Sequence, residues 1–94
     1  MTGKDRAKLR SMANTIQPIF QVGKGGITET MIEQLSMALD ARELIKITVL
    51  ETAEVDAREA SDQLCKALRA EPVQCIGRKV SLYRRNNKEP KIEL

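Results

Sequence analysis

Apolar and polar positions alternate along this chain with two periods, and the switches between them mark out seven elements. Leu9, Met12 and Ala13 recur at helical spacing inside a stretch from about Lys4 to Asn14, which predicts a helix whose remaining face is cationic. Pro18 to Val22 reads as a short strand that begins at a proline, where a missing N–H does no harm. After Gly23-Lys24-Gly25-Gly26, the spacing of Met31, Ile32, Leu35, Ala38 and Leu39 predicts an amphipathic helix to about Ala41. Thr28 serves as its N-cap and Glu29 lies in its first turn. Leu44 to Leu50 then alternates, with Ile45, Ile47 and Val49 on one face and Lys46 and Thr48 on the other, as a half-buried strand requires. Asp56 and Glu59 form a capping-box pattern before Ala57, Ala60, Leu64, Ala67 and Leu68, a third helix that must stop before Pro72. Val73 to Ile76 and Lys79 to Arg85 flank Gly77-Arg78 as a hairpin, glycine supplying the positive φ of a tight turn.

The order α-β-α-β-α-β-β predicts a small α/β domain, with parallel pairing across the two right-handed helix crossovers and one antiparallel strand at the end. Its core is expected over residues 4–85, with residues 86–94 a flexible tail. At 94 residues the chain is one domain, too small for a deep cleft between lobes. It contains no His, which removes the imidazole bases, the Ser/His/Asp triad and mixed Cys/His zinc sites. Cys65 and Cys75 read as small core residues, and Met12, Met31 and Met37 as fillers of core gaps. The pairs Glu29/Glu33 and Glu59/Asp62 lack a third metal ligand. The expectation is a protein without cofactor, metal or catalytic activity. The low cysteine count and the start Met-Thr-Gly-Lys-Asp-Arg predict a cytoplasmic chain with no membrane segment.

The net charge of +3 conceals a block pattern. Residues 1–27 carry five cations against Asp5, a net +4; residues 28–62 carry nine anions against three cations, a net −6; residues 63–85 carry six cations against Glu71, a net +5. Strands that share a sheet would bring the two basic blocks together and concentrate a polyanion on one side.

Gly23-Lys24-Gly25-Gly26 stands between a strand and a helix, the context in which a GxxG loop can grip phosphate. Glycines let the backbone approach, free N–H groups donate, the helix adds the positive end of its dipole, and Lys24 adds a charge. Glu29 opposes a phosphate drawn too near the helix start, and the same motif also serves as a plain turn needing positive φ. Three separated segments carry a more specific signal. Val22-Gly23-Lys24-Gly25-Gly26-Ile27-Thr28-Glu29, then Ala41-Arg42-Glu43-Leu44-Ile45-Lys46-Ile47, then Val73-Gln74-Cys75-Ile76-Gly77-Arg78 with Leu82-Tyr83-Arg84, resemble the successive signatures of the CRM (chloroplast RNA splicing and ribosome maturation) domain family. The resemblance covers about residues 6–94, at the length of the stand-alone bacterial YhbY-type members. Arg85 departs from it, standing where many relatives have proline.

The resemblance implies a two-layer α/β fold with a four-stranded mixed sheet, similar to the C-terminal domain of bacterial initiation factor three. It also implies RNA binding without catalysis, on precursors of the large ribosomal subunit in bacteria and on group II introns in plant organelles. The family's GxxG loop falls on Gly23, Lys24, Gly25 and Gly26. Phe20 and Tyr83 are the only aromatic residues, too few for a base-stacking platform, so affinity is expected from phosphates. The candidate contacts are Lys24 and the loop amides, Lys4, Arg6, Lys8 and Arg10 on the first helix, and Arg78, Lys79, Arg84 and Arg85 on the hairpin. If Val80 and Leu82 face the core, Lys79, Ser81, Tyr83 and Arg85 face the other way beside Lys46 and Thr48; Tyr83 then either stacks one base or packs on the sheet. The expected partner is precursor rRNA, with ribosomal proteins as further partners of a monomer. The alternative is an adaptor whose acidic segment, Glu29 to Asp62, docks a basic ribosomal protein without touching RNA.

Overall fold

The computed structural model describes all residues from Met1 to Leu94. Its elements are α1 (Gly3–Ala13), β1 (Phe20–Val22), α2 (Glu29–Arg42), β2 (Leu44–Val49), α3 (Ala57–Leu68), β3 (Glu71–Ile76) and β4 (Lys79–Tyr83). Each helix opens on a side-chain cap. Thr2 and Asp5 form a reciprocal capping box on α1, Thr28 Oγ1 accepts from Met31 N at 3.2 Å, and Asp56 accepts from Glu59 N at 2.8 Å. Only the Asp56 half of the expected box on α3 is formed.

The four strands make one mixed sheet in the order β1-β2-β4-β3, the α/β architecture expected. β1 pairs parallel with β2, Val22 opposite Val49; β4 pairs antiparallel with both β2 and β3. The second helix crossover therefore does not pair β2 with β3. β4 is inserted between them, because the tight turn at Gly77, φ 59°, returns the chain alongside β3 at once. β3 starts at Glu71, earlier than the pattern suggested, and accommodates Pro72 at the sheet edge beside an irregularity between Pro72 and Gln74.

The alternation read from β2 holds. Ile45, Ile47 and Val49, with Val22, Val80 and Leu82, face Leu35 and Leu39 of α2 and Ala57, Ala60, Leu64 and Leu68 of α3. The opposite face is not left open. α1 lies against it, packing Leu9 and Ala13 on Leu44, Tyr83 and Ile92. The tail expected to be flexible is folded back: Ile92 is buried, and the N–H groups of Asn86, Lys91 and Ile92 all donate to the Glu43 carboxylate at 2.6 Å.

Two smaller expectations are corrected. Met37 lies on the outer face of α2 and is 71% exposed, so it fills no core gap. Cys75 is exposed on an edge strand; Cys65 is half-buried, and burial pushes its thiol up, with help from Asp62 and Glu71 and against the Ser61 hydrogen bond. Both cysteines are free.

Candidate nucleic-acid interface

The strand-to-helix turn is built as its sequence requires. Gly26 N donates to Gly23 O at 2.9 Å and closes the turn, and Gly26 adopts φ 71°, where a side chain would be strained. Lys24 and Gly25 form the tip, both exposed, and their N–H groups donate to no protein acceptor. A Cβ on Gly25 would meet nothing within 4 Å, so the tip is open to a ligand approaching the backbone. Thr28 occupies one of the first free amides of α2 and leaves the helix start otherwise unsatisfied.

The pairing places more cations at this end of the sheet. Val49 N donates to the Arg78 carbonyl at 2.7 Å and Leu50 N to the Val22 carbonyl at 2.8 Å, which brings the turn and the hairpin to one rim. Two strand spacings separate them, about 10 Å. Lys46 is opposite Ser81 and Thr48 opposite Lys79, so Lys46 and Lys79 are diagonal neighbours on the sheet face away from α2 and α3, roughly 7–8 Å apart. Lys79 and Arg78 are exposed and Lys46 half-exposed. Arg78 bonds Glu51 Oε1 at 3.1 Å, an exposed pair worth about 0–1 kcal/mol and readily exchanged for a phosphate.

The remaining sequence candidates lie elsewhere. Lys4, Arg6, Lys8 and Arg10 ride on α1, exposed on the same side of the sheet but toward its other end. Arg6 stands 3.8 Å from Glu71, and Lys8 Nζ donates to the Glu93 carbonyl of the tail. Tyr83 is only 5% exposed beneath α1 and the tail, so of its two readings the ring packs on the sheet and does not stand free to stack a base. Arg84, expected among the phosphate contacts, is corrected. Its guanidinium donates to Leu68 O at 2.9 Å, Ser36 O at 2.8 Å, Ser36 Oγ at 3.0 Å and Asp40 Oδ1 at 2.9 Å, joining the C-terminal end of α3 to α2. Arg84 thus clamps the helical layer. Arg85 is exposed at the same end, about 14 Å or more from the hairpin turn along β4.

Sequence reasoning missed Glu43 as the anchor of the tail. Its side chain is fully buried and its backbone takes φ 64° at the end of α2. The one sequence signal was a lone acidic residue between the end of a helix and the first core residue of a strand. No helix is long and apolar enough to cross a membrane.

A small mixed α/β domain with a cation-tipped strand-to-helix turn beside a basic sheet rim defines a class of single-domain modules. This chain belongs to the CRS1/YhbY (CRM) domain family, whose model matches residues 1–84. It is 46% identical over 94 residues to "Probable RNA-binding protein YqeI" of Bacillus subtilis, covering 100% of this chain and 98% of that one. It is 32% identical over 91 residues to "Probable RNA-binding protein PA4753" of Pseudomonas aeruginosa, covering 97% and 88%. Its fold is similar to the solution structure of the hypothetical protein SAV1595 from Staphylococcus aureus, with a TM-score of 0.81, 47% identity, and coverage of 100% and 98%.

Proposed function

We propose that this protein is a non-catalytic RNA-binding protein that acts in the cytoplasm, as a monomer, on precursors of the large ribosomal subunit. It grips structured rRNA by the phosphate backbone. The observation that carries the reading is the Gly23–Gly26 turn: two unengaged amides, an exposed Lys24 and an open approach at Gly25, at a helix start. The names of the relatives, which describe RNA-binding proteins, support the choice of polyanion. With Tyr83 buried, base stacking contributes little, and recognition rests on backbone geometry rather than on sequence. Arg78, Lys79 and Lys46 extend the contact from the turn across the rim, while the acidic outer faces of α2 and α3 remain available to ribosomal proteins.

Ultraviolet crosslinking in growing cells tests this directly. Fragments are expected to concentrate in large-subunit rRNA precursors, with the crosslinked peptide spanning Gly23 to Gly26 or the Gly77-Arg78 turn. Lys24→Glu is expected to weaken binding of every RNA tested without lowering the melting temperature. Control proteins that crosslink efficiently alongside none for this one would replace the RNA reading by the adaptor.

A further inference from the structure

At the end of the sheet opposite the Gly23–Gly26 turn lies a cleft of about 520 Å³, whose charged and polar lining includes Asp5, Arg69, Glu71, Tyr83, Arg84 and Arg85. Most of these charges are already engaged. Arg84 is held by Asp40, Glu71 by Arg6, and Asp5 accepts from Thr2 N in the α1 capping box. Arg69 and Arg85 make no ion pair of their own, although the Arg85 charge lies near enough to the Glu43 carboxylate to favour its ionised form. The third group is the Tyr83 hydroxyl, which is buried and has only the Arg85 guanidinium, itself a donor, as a hydrogen-bonding neighbour, so that its own proton meets no acceptor.

We propose that this cleft is a phosphate-binding site formed by Arg69, Arg85 and the Tyr83 hydroxyl. Two guanidinium forks and one O–H, with no unengaged acceptor among them, complement a group that only accepts hydrogen bonds, and the planar fork matches phosphate oxygens. A buried hydroxyl left unpaired is an expense that native structures seldom carry, and a ligand oxygen would relieve it. Burial, reinforced by the Glu43 and Asp5 charges, pushes the phenol pKa up against the charge and hydrogen bond of Arg85, so the hydroxyl keeps its proton as a donor. The backbone gives an independent indication. Arg69 ends α3 at φ 54°, ψ 43°, the left-handed position usually filled by glycine, so a strained arginine stands where the cleft needs a cation.

The same phosphate chemistry has two sources, an RNA strand that also reaches the Gly23–Gly26 turn or a free nucleotide. The first rests on the proposed function. The experiment titrates isotope-labelled full-length protein with a twelve-nucleotide RNA and, separately, with adenosine monophosphate, following the Arg69 and Arg85 Nε–H signals and measuring affinity. Movement of both signals by RNA, saturating with binding, is the expected result. Arg69→Gly, which suits the left-handed backbone, is expected to keep the fold and weaken binding about tenfold. Tyr83→Phe is expected to raise the melting temperature, because it removes an unpaired hydroxyl, and yet weaken binding. Adenosine monophosphate moving the signals while RNA does not would keep the site and overturn the RNA reading. RNA that binds through Lys24 with both signals unmoved would overturn this site and leave the proposed function standing. No binding of either probe would overturn both.

Discussion

Glu43 accepts three backbone N–H groups on its two carboxylate oxygens, each at 2.6 Å, while its own backbone sits at φ 64°. A non-glycine residue held at φ 64°, ψ −37°, a sparsely populated region, costs about 1–3 kcal/mol, and the three charge-assisted bonds are what offset it. Burial by itself would raise the carboxyl pKa, but the amides of Asn86, Ile92 and Lys91, together with the Arg85 charge, outweigh burial and hold it below the ordinary 4.5. A folded-state pKa lowered in this way stabilises the protein fully above the unfolded value, and the contribution is lost as pH falls through the folded value. Glu43→Gln is therefore expected to cost about 2–3 kcal/mol at pH 7, because one oxygen acceptor becomes an NH₂ donor facing amides. Urea denaturation at pH 7 and at pH 3 checks both parts: the gap between wild type and variant should narrow at pH 3, below the ordinary carboxyl value, where the unfolded chain already holds the proton that the folded carboxylate resists. A gap equally wide at both pH values would mean that the carboxylate charge contributes nothing.

Within the strand-to-helix turn, the two glycines at the tip and end do different work, and substitution separates them. Gly26→Ala forces a Cβ into φ 71° although nothing crowds it, so the cost is conformational, about 1 kcal/mol. In a domain of this size that is a fall in melting temperature of roughly 4–8 °C. Gly25→Ala meets open space at an ordinary φ and should leave the melting temperature unchanged. A loss of RNA affinity in Gly25→Ala would then report close approach of a phosphate to the backbone, and full affinity would place the phosphate elsewhere. The turn was legible in the sequence because glycine spacing, the preceding β run and the Thr28 cap are all local signals. The helices and the two faces of β2 were legible for the same reason, since periodicity is set by the element itself. The roles of Tyr83 and Arg84 were not. The alternation correctly sent Tyr83 to the face opposite Val80 and Leu82, but whether that face meets water depends on Ile92, nine residues further on, and on α1, whose Ala13 lies 70 residues earlier in the chain. Arg84 looked like one more cation in a basic run. Only the packing of α2 against α3 supplies the carbonyls that claim its guanidinium.

Across the whole molecule, the charge blocks of the sequence become two sides. α1 and the hairpin share the sheet face that carries Lys46 and Lys79, whereas α2 and the start of α3 place Glu29, Glu33, Asp56, Glu59 and Asp62 on the opposite side. Such a distribution orients a polyanion during approach, because the acidic layer repels from one side what the rim attracts on the other. The logarithm of RNA affinity should therefore fall linearly with the logarithm of salt concentration, by about 0.7–0.9 for each phosphate neutralised. Replacing Lys24, Lys46 or Lys79 by Gln should each shallow that slope by roughly one such unit as well as weaken binding at any one salt concentration. Glu33→Gln, on the outer face of α2, should leave the slope unchanged and raise affinity only at low salt, where a charge on the far side is not yet screened. Fluorescence anisotropy with one structured RNA across a range of potassium concentrations measures all five slopes, wild type included. Equal slopes for the rim variants and wild type would mean that those lysines make no phosphate contact, and the interface would have to be sought on α1, where Lys4 and Arg10 are the cations not held by the rest of the chain.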